Sequence, residues 1–171
     1  MSRSLNLVRL AGILPLSLVE RLARAAFHQV LTRHPALLER LDGHINKRFG
    51  FLATDLDIAF VISPASRTVL VVRGRDLPRT GLRAPHATVS GALRVLLSLL
   101  EGSVDGDAEF FVRALTVSGD MEAVLALRNA LDDADIDLPN DLGALAGPLS
   151  PLVARLGRAV RSVVLEAKPW N

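Results

Sequence analysis

The hydrophobic pattern opens at helical spacing. Leu16, Val19, Leu22, Ala23, Ala26, Phe27 and Val30 share one face of a helix over about residues 16–32, with Arg21 and Arg24 on the other side. Pro15 suits the position just before it. A second stripe, Leu37, Leu38, Leu41 and Ile45, predicts a helix over about residues 35–48, opened by Pro35 and closed by Gly50. The period then falls to two. Leu56, Ile58, Phe60 and Ile62 alternate with polar positions that include Asp55 and Asp57, which predicts a half-buried strand over 55–62. Pro64–Ser66 turns the chain, and the β-branched run Thr68–Val72 completes an antiparallel hairpin. Residues 74–85, rich in Gly, Pro and Arg, read as an exposed loop, and residues 86–90 as a third strand with Ala87 and Val89 inward.

The helix predicted over about residues 92–101 has a different pattern. Leu93, Val95, Leu96, Leu97, Leu99 and Leu100 occupy nearly every azimuth, relieved by Arg94 and Ser98. A helix apolar all round must be covered all round, by protein or by protein on one side and an apolar ligand on the other. After the acidic turn Gly102–Asp107 come a short helix carrying Phe110 and Phe111, a fourth strand over Ala114–Ser118, and a helix over about 120–132 with Asp120 as its N-cap. Residues 133–148 are acidic, then broken by Gly and Pro, and read as a linker. The last helix, about 149–166, sets Leu149, Leu152, Val153, Leu156, Val160, Val163 and Val164 against a basic row of Arg155, Arg158 and Arg161. The expected architecture is α+β: a small, mostly antiparallel sheet covered by helices, with amphipathic helices at both termini. Residues 1–34 form a helical lead, 35–135 the central domain, and 136–171 the linker and tail helix.

Composition sharpens this picture. Half of the 171 residues are apolar but only 4% are aromatic, so aliphatic side chains must fill the interior. That suits an ordinary core and a smooth apolar cavity alike. The net charge of +2 conceals a segregation: residues 101–141 carry two basic and eleven acidic side chains, whereas residues 1–48 carry eight and three. Basic ends favour anionic surfaces such as lipid headgroups or an acidic protein. Nucleic acid is not expected, because only two lysines are present and aromatics are scarce. With no cysteine, disulfides, thiolate metal sites and cysteine nucleophiles are excluded. The apolar stretch near the N-terminus is interrupted by Arg9, and Glu20, Arg21 and Arg24 follow it in helical register, so it reads as part of a cytoplasmic protein rather than a signal peptide.

No catalytic constellation emerges. His28, His34, His44 and His86 form no pair at metal-ligand spacing and read as solvated. Asp132, Asp133, Asp135, Asp137 and Asp141 lack the glycine and terminal glutamate of a calcium loop and read as a solvated acidic loop. Val89-Ser90-Gly91 supplies only half of a nucleophile elbow. Arg73-Gly74-Arg75 is a basic turn. Neither a cofactor nor a metal is expected.

The order from Gly102 to Leu131 resembles the closing half of a sterol carrier protein-like domain: acidic turn, Phe110-Phe111, the strand Ala114–Ser118, Gly119-Asp120 and an apolar helix. The upstream hairpin, third strand and apolar helix stand in the matching order, so the resemblance covers about residues 35–135. Within that superfamily the chain is similar to the bacterial accessory factors of anaerobic ubiquinone biosynthesis, the UbiT type, best over Asp107–Leu131. The chain ends Pro169-Trp170-Asn171, without the peroxisomal tripeptide of eukaryotic relatives, which fits a bacterial setting.

The resemblance implies a carrier and not an enzyme. A prenylated quinone precursor or a phospholipid would sit in an apolar cavity lined by Leu93, Leu96, Leu97, Leu100, Phe110, Phe111, Leu115, Val117, Leu127 and Leu131. The partners implied are ubiquinone biosynthesis proteins, including the oxygen-independent hydroxylase. Arg155, Arg158 and Arg161 would face an anionic membrane or a partner, giving a cytoplasmic protein peripheral to the inner membrane. A lipid-free scaffold and a small hydrolase or acyltransferase are the rival expectations.

Overall fold

The structure, a computed structural model, describes residues 15–79, 81–101, 114–137, 140 and 141. Its centre is a five-stranded sheet: β1 (Phe49–Ala53), β2 (Ile58–Ser63), β3 (Thr68–Arg73), β4 (Ala87–Gly91) and β5 (Thr116–Gly119). The spatial order is β3-β2-β1-β4-β5. Every neighbouring pair is antiparallel except β1 with β4, which run parallel with Phe49 opposite Ala87. Among the described residues four α-helices accompany the sheet: α1 (Leu16–Arg33), α2 (Ala36–Arg40), α3 (Leu93–Leu100) and α4 (Met121–Asp132). The α+β architecture with a mostly antiparallel sheet is therefore the one the sequence predicts.

The strand at the middle of the sheet departs from the sequence reading. The helix predicted over 35–48 stops at Arg40, a 3-10 turn spans Asp42–His44, and Phe49–Ala53 is extended. Gly50 lies within that strand and does not end a helix. A Cβ there would stand 2.8 Å from Thr88 Oγ1 and 3.0 Å from Pro85 Cγ, so close packing selects glycine. Pairing on both sides, with β2 and β4, fixes this segment as a strand despite its weak local signal. The first predicted strand begins later than expected, at Ile58, because residues 54–57 form a turn with Asp57 at a φ of 51°. That turn has a use: the Asp55 carboxylate accepts from the Leu93 N–H at 2.9 Å and so satisfies a donor at the start of α3.

In the other described elements pattern and structure agree to within a residue or two, while the short helix expected at Phe110-Phe111 and the last helix, about 149–166, lie outside the described residues. Asp120 caps α4 through its side chain, accepting from the Ala123 N–H at 3.0 Å. Gly119 reaches φ 90°, and a Cβ there would fall 2.2 Å from the His86 carbonyl oxygen, so no other residue fits without displacing β4.

Helix α1 lies along the outer strand β3. Arg24 Nε donates to the Val69 carbonyl at 3.0 Å, and the Val71 N–H donates to Glu20 Oε2 at 3.2 Å. Glu20 and Arg24 also pair with each other at 2.6 Å. Two outward backbone groups of this edge, the Val69 carbonyl and the Val71 N–H, are thus occupied by side chains of a helix. Buried apolar residues from α1, α2, the sheet, α3 and α4 then form one continuous core around Phe49, Phe51, Leu96 and Leu127.

Candidate functional site: an apolar cavity between helices and sheet

The core is not fully closed. A cavity of about 240 Å³ lies between one face of the sheet and the helices. Helix α1 contributes Ala23, Ala26, Phe27 and Val30; α2 and the residue after it contribute Leu37, Leu38 and Leu41. The sheet presents Phe49, Phe51, Phe60, Ile62 and Val69, with Pro64 at the turn. Leu93, Leu96, Leu97 and Leu100 come from α3, and Leu127, Leu131 and Ile136 from α4 and the chain beyond it. Among the described residues no lining side chain is polar. Such a lining favours an apolar occupant over water, which would find no hydrogen-bond partner on it.

The periodicities explain how these residues converge. Phe49 and Phe51 are alternate residues of β1, as Phe60 and Ile62 are of β2, and each pair projects to the same face. Leu93, Leu96, Leu97 and Leu100 follow the three- and four-residue spacing of one helix face. Val95 lies off that face and is buried. The helix expected to be apolar all round is therefore more one-sided than that: Leu93, Leu96, Leu97 and Leu100 face the cavity, Val95 is buried beside them, and Arg94 and Ser98 share another face.

Of the ten residues expected to contact lipid, Leu93, Leu96, Leu97, Leu100, Leu127 and Leu131 line this cavity together. Leu115 and Val117 pack against the same core but are not in its lining. Phe110 and Phe111 lie outside the described residues, as do Arg155, Arg158 and Arg161. The lining from α1, α2 and the sheet is not singled out by sequence. The apolar stripes of α1 and α2 and the alternation of β2 are the signals for it, whereas the expected longer helix over 35–48 conceals Phe49 and Phe51.

Charged groups stand outside the cavity and fasten its frame. Asp141 is only 3% exposed and accepts from Arg33 Nη1 at 2.9 Å, while His34 Nε2 lies 3.2 Å from its other oxygen. Two expectations are corrected here: Asp141 is not a solvated loop acid, and His34 is not simply solvated. Ile136 is also buried, so the segment after α4 is drawn onto the core by one apolar and one ionic anchor. Arg40 pairs with Asp133, tying α2 to the end of α4.

Lys47 Nζ lies 3.0 Å from Asp120 Oδ2 beside the N-terminus of α4. The Ala123 N–H, and then Lys47, hold the Asp120 carboxyl below its ordinary pKa. His86 accepts the Arg48 N–H on Nδ1 at 2.9 Å. Its pKa is lowered, first by partial desolvation and then by the nearby Arg48 and Lys47 charges, against the opposing pull of Asp120. Among the described residues, no three His, Asp or Glu side chains gather where they could hold a metal ion. No helix among them is long and apolar enough to cross a membrane.

Comparison with known proteins agrees with this geometry. The sequence profile of the SCP-2 sterol transfer family matches residues 27–132. No curated protein matches the chain significantly. Among solved structures, "UbiJ-SCP2 Ubiquinone synthesis protein" superposes with a TM-score of 0.53 at 20% identity, covering 72% of this chain and 98% of that one. A sterol carrier protein 2 from Yarrowia lipolytica in its apo form gives a TM-score of 0.42 at 14% identity, covering 71% of this chain and 93% of that one. The family match spans well over half of the sequence and includes the whole sheet and all of α3 and α4, so the chain belongs to the SCP-2 sterol transfer family, a family of lipid-binding carrier domains.

Proposed function

We propose that this protein is a carrier that holds a prenylated quinone, or a precursor of one, in the apolar cavity for oxygen-independent ubiquinone biosynthesis. In this reading the chemistry belongs to partner proteins of the pathway, including the hydroxylase, and the chain presents the lipid to them from the cytoplasmic side. The observation that carries it is a cavity with no polar lining residue among the described ones, walled on one side by the apolar face of α3, Leu93, Leu96, Leu97 and Leu100. Support for the quinone assignment is the name of the fold neighbour, a ubiquinone synthesis protein, together with the sequence resemblance to anaerobic accessory factors.

The cavity size bears on how the ligand is held. At 240 Å³ it falls just under the roughly 300 Å³ lower bound for pockets that enclose a drug-sized ligand. It therefore takes a segment of an isoprenoid tail, with the polar ring and the remaining tail outside. At about 0.8 kcal/mol per buried CH₂, some ten enclosed carbons would supply roughly 8 kcal/mol before ordering costs. In the same reading Phe110 and Phe111 add to the wall near α3, Leu115 and Val117 support it, and Arg155, Arg158 and Arg161 bring the tail helix to an anionic leaflet or a partner.

Mass spectrometry of an organic extract of the natively purified protein tests the proposal. An isoprenoid quinone or precursor in near-stoichiometric amount is expected; an extract without lipid would leave a scaffold role and sink the carrier. Leu97→Glu, which puts a charge into the cavity, should abolish lipid co-purification. Full lipid content in a folded Leu97→Glu protein would remove α3 from the site.

A further inference from the structure

The connection from β3 to β4, residues 74–86, is long for the step it makes, and its surface is unusual. Arg73, Arg75, Arg79 and Arg83 lie within eleven residues of sequence, against one acid, Asp76. Arg75, Arg79 and Arg83 are exposed, and among the described residues none of the four guanidinium groups has a carboxylate within ion-pairing distance. Between them stands Leu82, 93% exposed, the most exposed large apolar side chain described. An unpaired basic cluster and an uncovered leucine in one loop are each without a partner inside the described fold.

The loop is held in place while it presents them. At its start, Gly74 N–H donates to the Asp57 carbonyl at 2.9 Å and Arg75 N–H to Asp57 Oδ1 at 3.3 Å. At its end, Arg48 Nε donates to the Ala84 carbonyl at 2.8 Å, and the His86 N–H donates to the Arg48 carbonyl at 2.8 Å. Pro85 packs at Gly50 and Gly74 at Leu52. Gly50 and Leu52 alternate with Phe49 and Phe51, so the loop lies across the sheet face opposite the cavity.

We propose that this loop is a docking element for an anionic phospholipid surface, with Leu82 as the inserted side chain and Arg75, Arg79 and Arg83 as the headgroup contacts. Arginine forks suit phosphate, and three to four of them near an anionic leaflet make a substantial electrostatic attraction. The exposed leucine distinguishes a bilayer from nucleic acid, which would ask for stacking aromatics that the loop lacks. An acidic protein would satisfy the arginines but gives the lone leucine among them no use. The element is separate from the carrier site, since none of its residues lines the cavity.

The test uses the full chain and vesicles of phosphatidylglycerol with phosphatidylethanolamine, or of phosphatidylcholine alone. In a Trp170→Phe background, Leu82→Trp gives the protein a single tryptophan. Its emission should shift to the blue, and be quenched by brominated acyl chains, on the anionic vesicles only. Separately, changing Arg75, Arg79 and Arg83 together to Gln should weaken vesicle binding roughly tenfold or more at low salt, and less at high salt, with lipid content and thermal midpoint unchanged. Vesicle-bound protein whose tryptophan emission stays unshifted, or a triple variant that binds as tightly as the parent, overturns the proposal. Equal binding to neutral vesicles, or arginine dependence seen only with an acidic protein, overturns it too. Loss of co-purifying lipid in the unmodified protein would instead count against the carrier reading and leave this one standing.

Discussion

His86 shows how a single residue can tie three elements together. It receives the Arg48 N–H ahead of β1, its carbonyl accepts from the Asp120 N–H ahead of α4 at 2.9 Å, and the same carbonyl forbids a Cβ at Gly119. The acceptor role requires neutral imidazole, and partial desolvation with the surrounding cations lowers the pKa to keep it neutral. A folded-state pKa below the unfolded value of about 6.5 means the unfolded chain takes up the proton first. Stability from this group is therefore complete above about pH 6.5 and is lost as the pH falls through the lower folded value. Denaturant midpoints measured from pH 8 to pH 5 should decline over that window, and His86→Gln should flatten the decline. An equally steep decline in the variant would assign the pH dependence elsewhere. Asp120, also lowered, adds its own loss only at more acidic pH, as its carboxylate is protonated.

At the scale of elements, legibility follows the strength of the local pattern. Helices α1, α3 and α4 and strands β2 and β3 are readable because periodic burial and turn residues point the same way. Strand β1 is not, since five residues around a glycine carry no alternation and its parallel neighbour β4 is distant in sequence. The α3 contribution to the cavity is legible, because six apolar residues out of eight leave more apolar surface than one core contact covers. The contribution of α1 is visible only as an amphipathic stripe, and nothing local says whether such a stripe meets a core or a cavity. Asp141 escapes the sequence for a related reason: its partners Arg33 and His34 lie more than a hundred residues away. Replacing Asp141 with Ala should cost about 1–2 kcal/mol, since Arg33 is 40% exposed and can regain water when its partner goes. Hydrogen exchange should quicken at residues 136, 137, 140 and 141 before it does in the sheet. Unaltered protection there would mean that Ile136 alone holds the segment down.

For the whole molecule, the cavity sets a relation between occupancy and stability. Forming a void lined by large aliphatic and aromatic side chains forfeits contacts that a filled interior would make. A bound lipid would restore them, and any ligand that binds only the folded state raises its stability by mass action. Lipid-stripped protein should accordingly melt lower than protein as purified, and adding back lipid at about 100 times its Kd should recover roughly 5–10 °C. Scanning calorimetry before and after delipidation checks this. Identical melting curves would show that the cavity is empty in the purified protein or that the lipid sits elsewhere.

Helix α1 joins two tasks that are usually separate. Its inner face supplies Ala23, Ala26, Phe27 and Val30 to the cavity wall, and its flank supplies Glu20 and Arg24 to the β3 edge. A movement that lifted this helix off β3 would also free the Val69 carbonyl and the Val71 N–H, and bare edge groups of that kind pair readily with a strand of a second copy. Opening the cavity from this side would therefore carry a risk of self-association that opening it from another side would not.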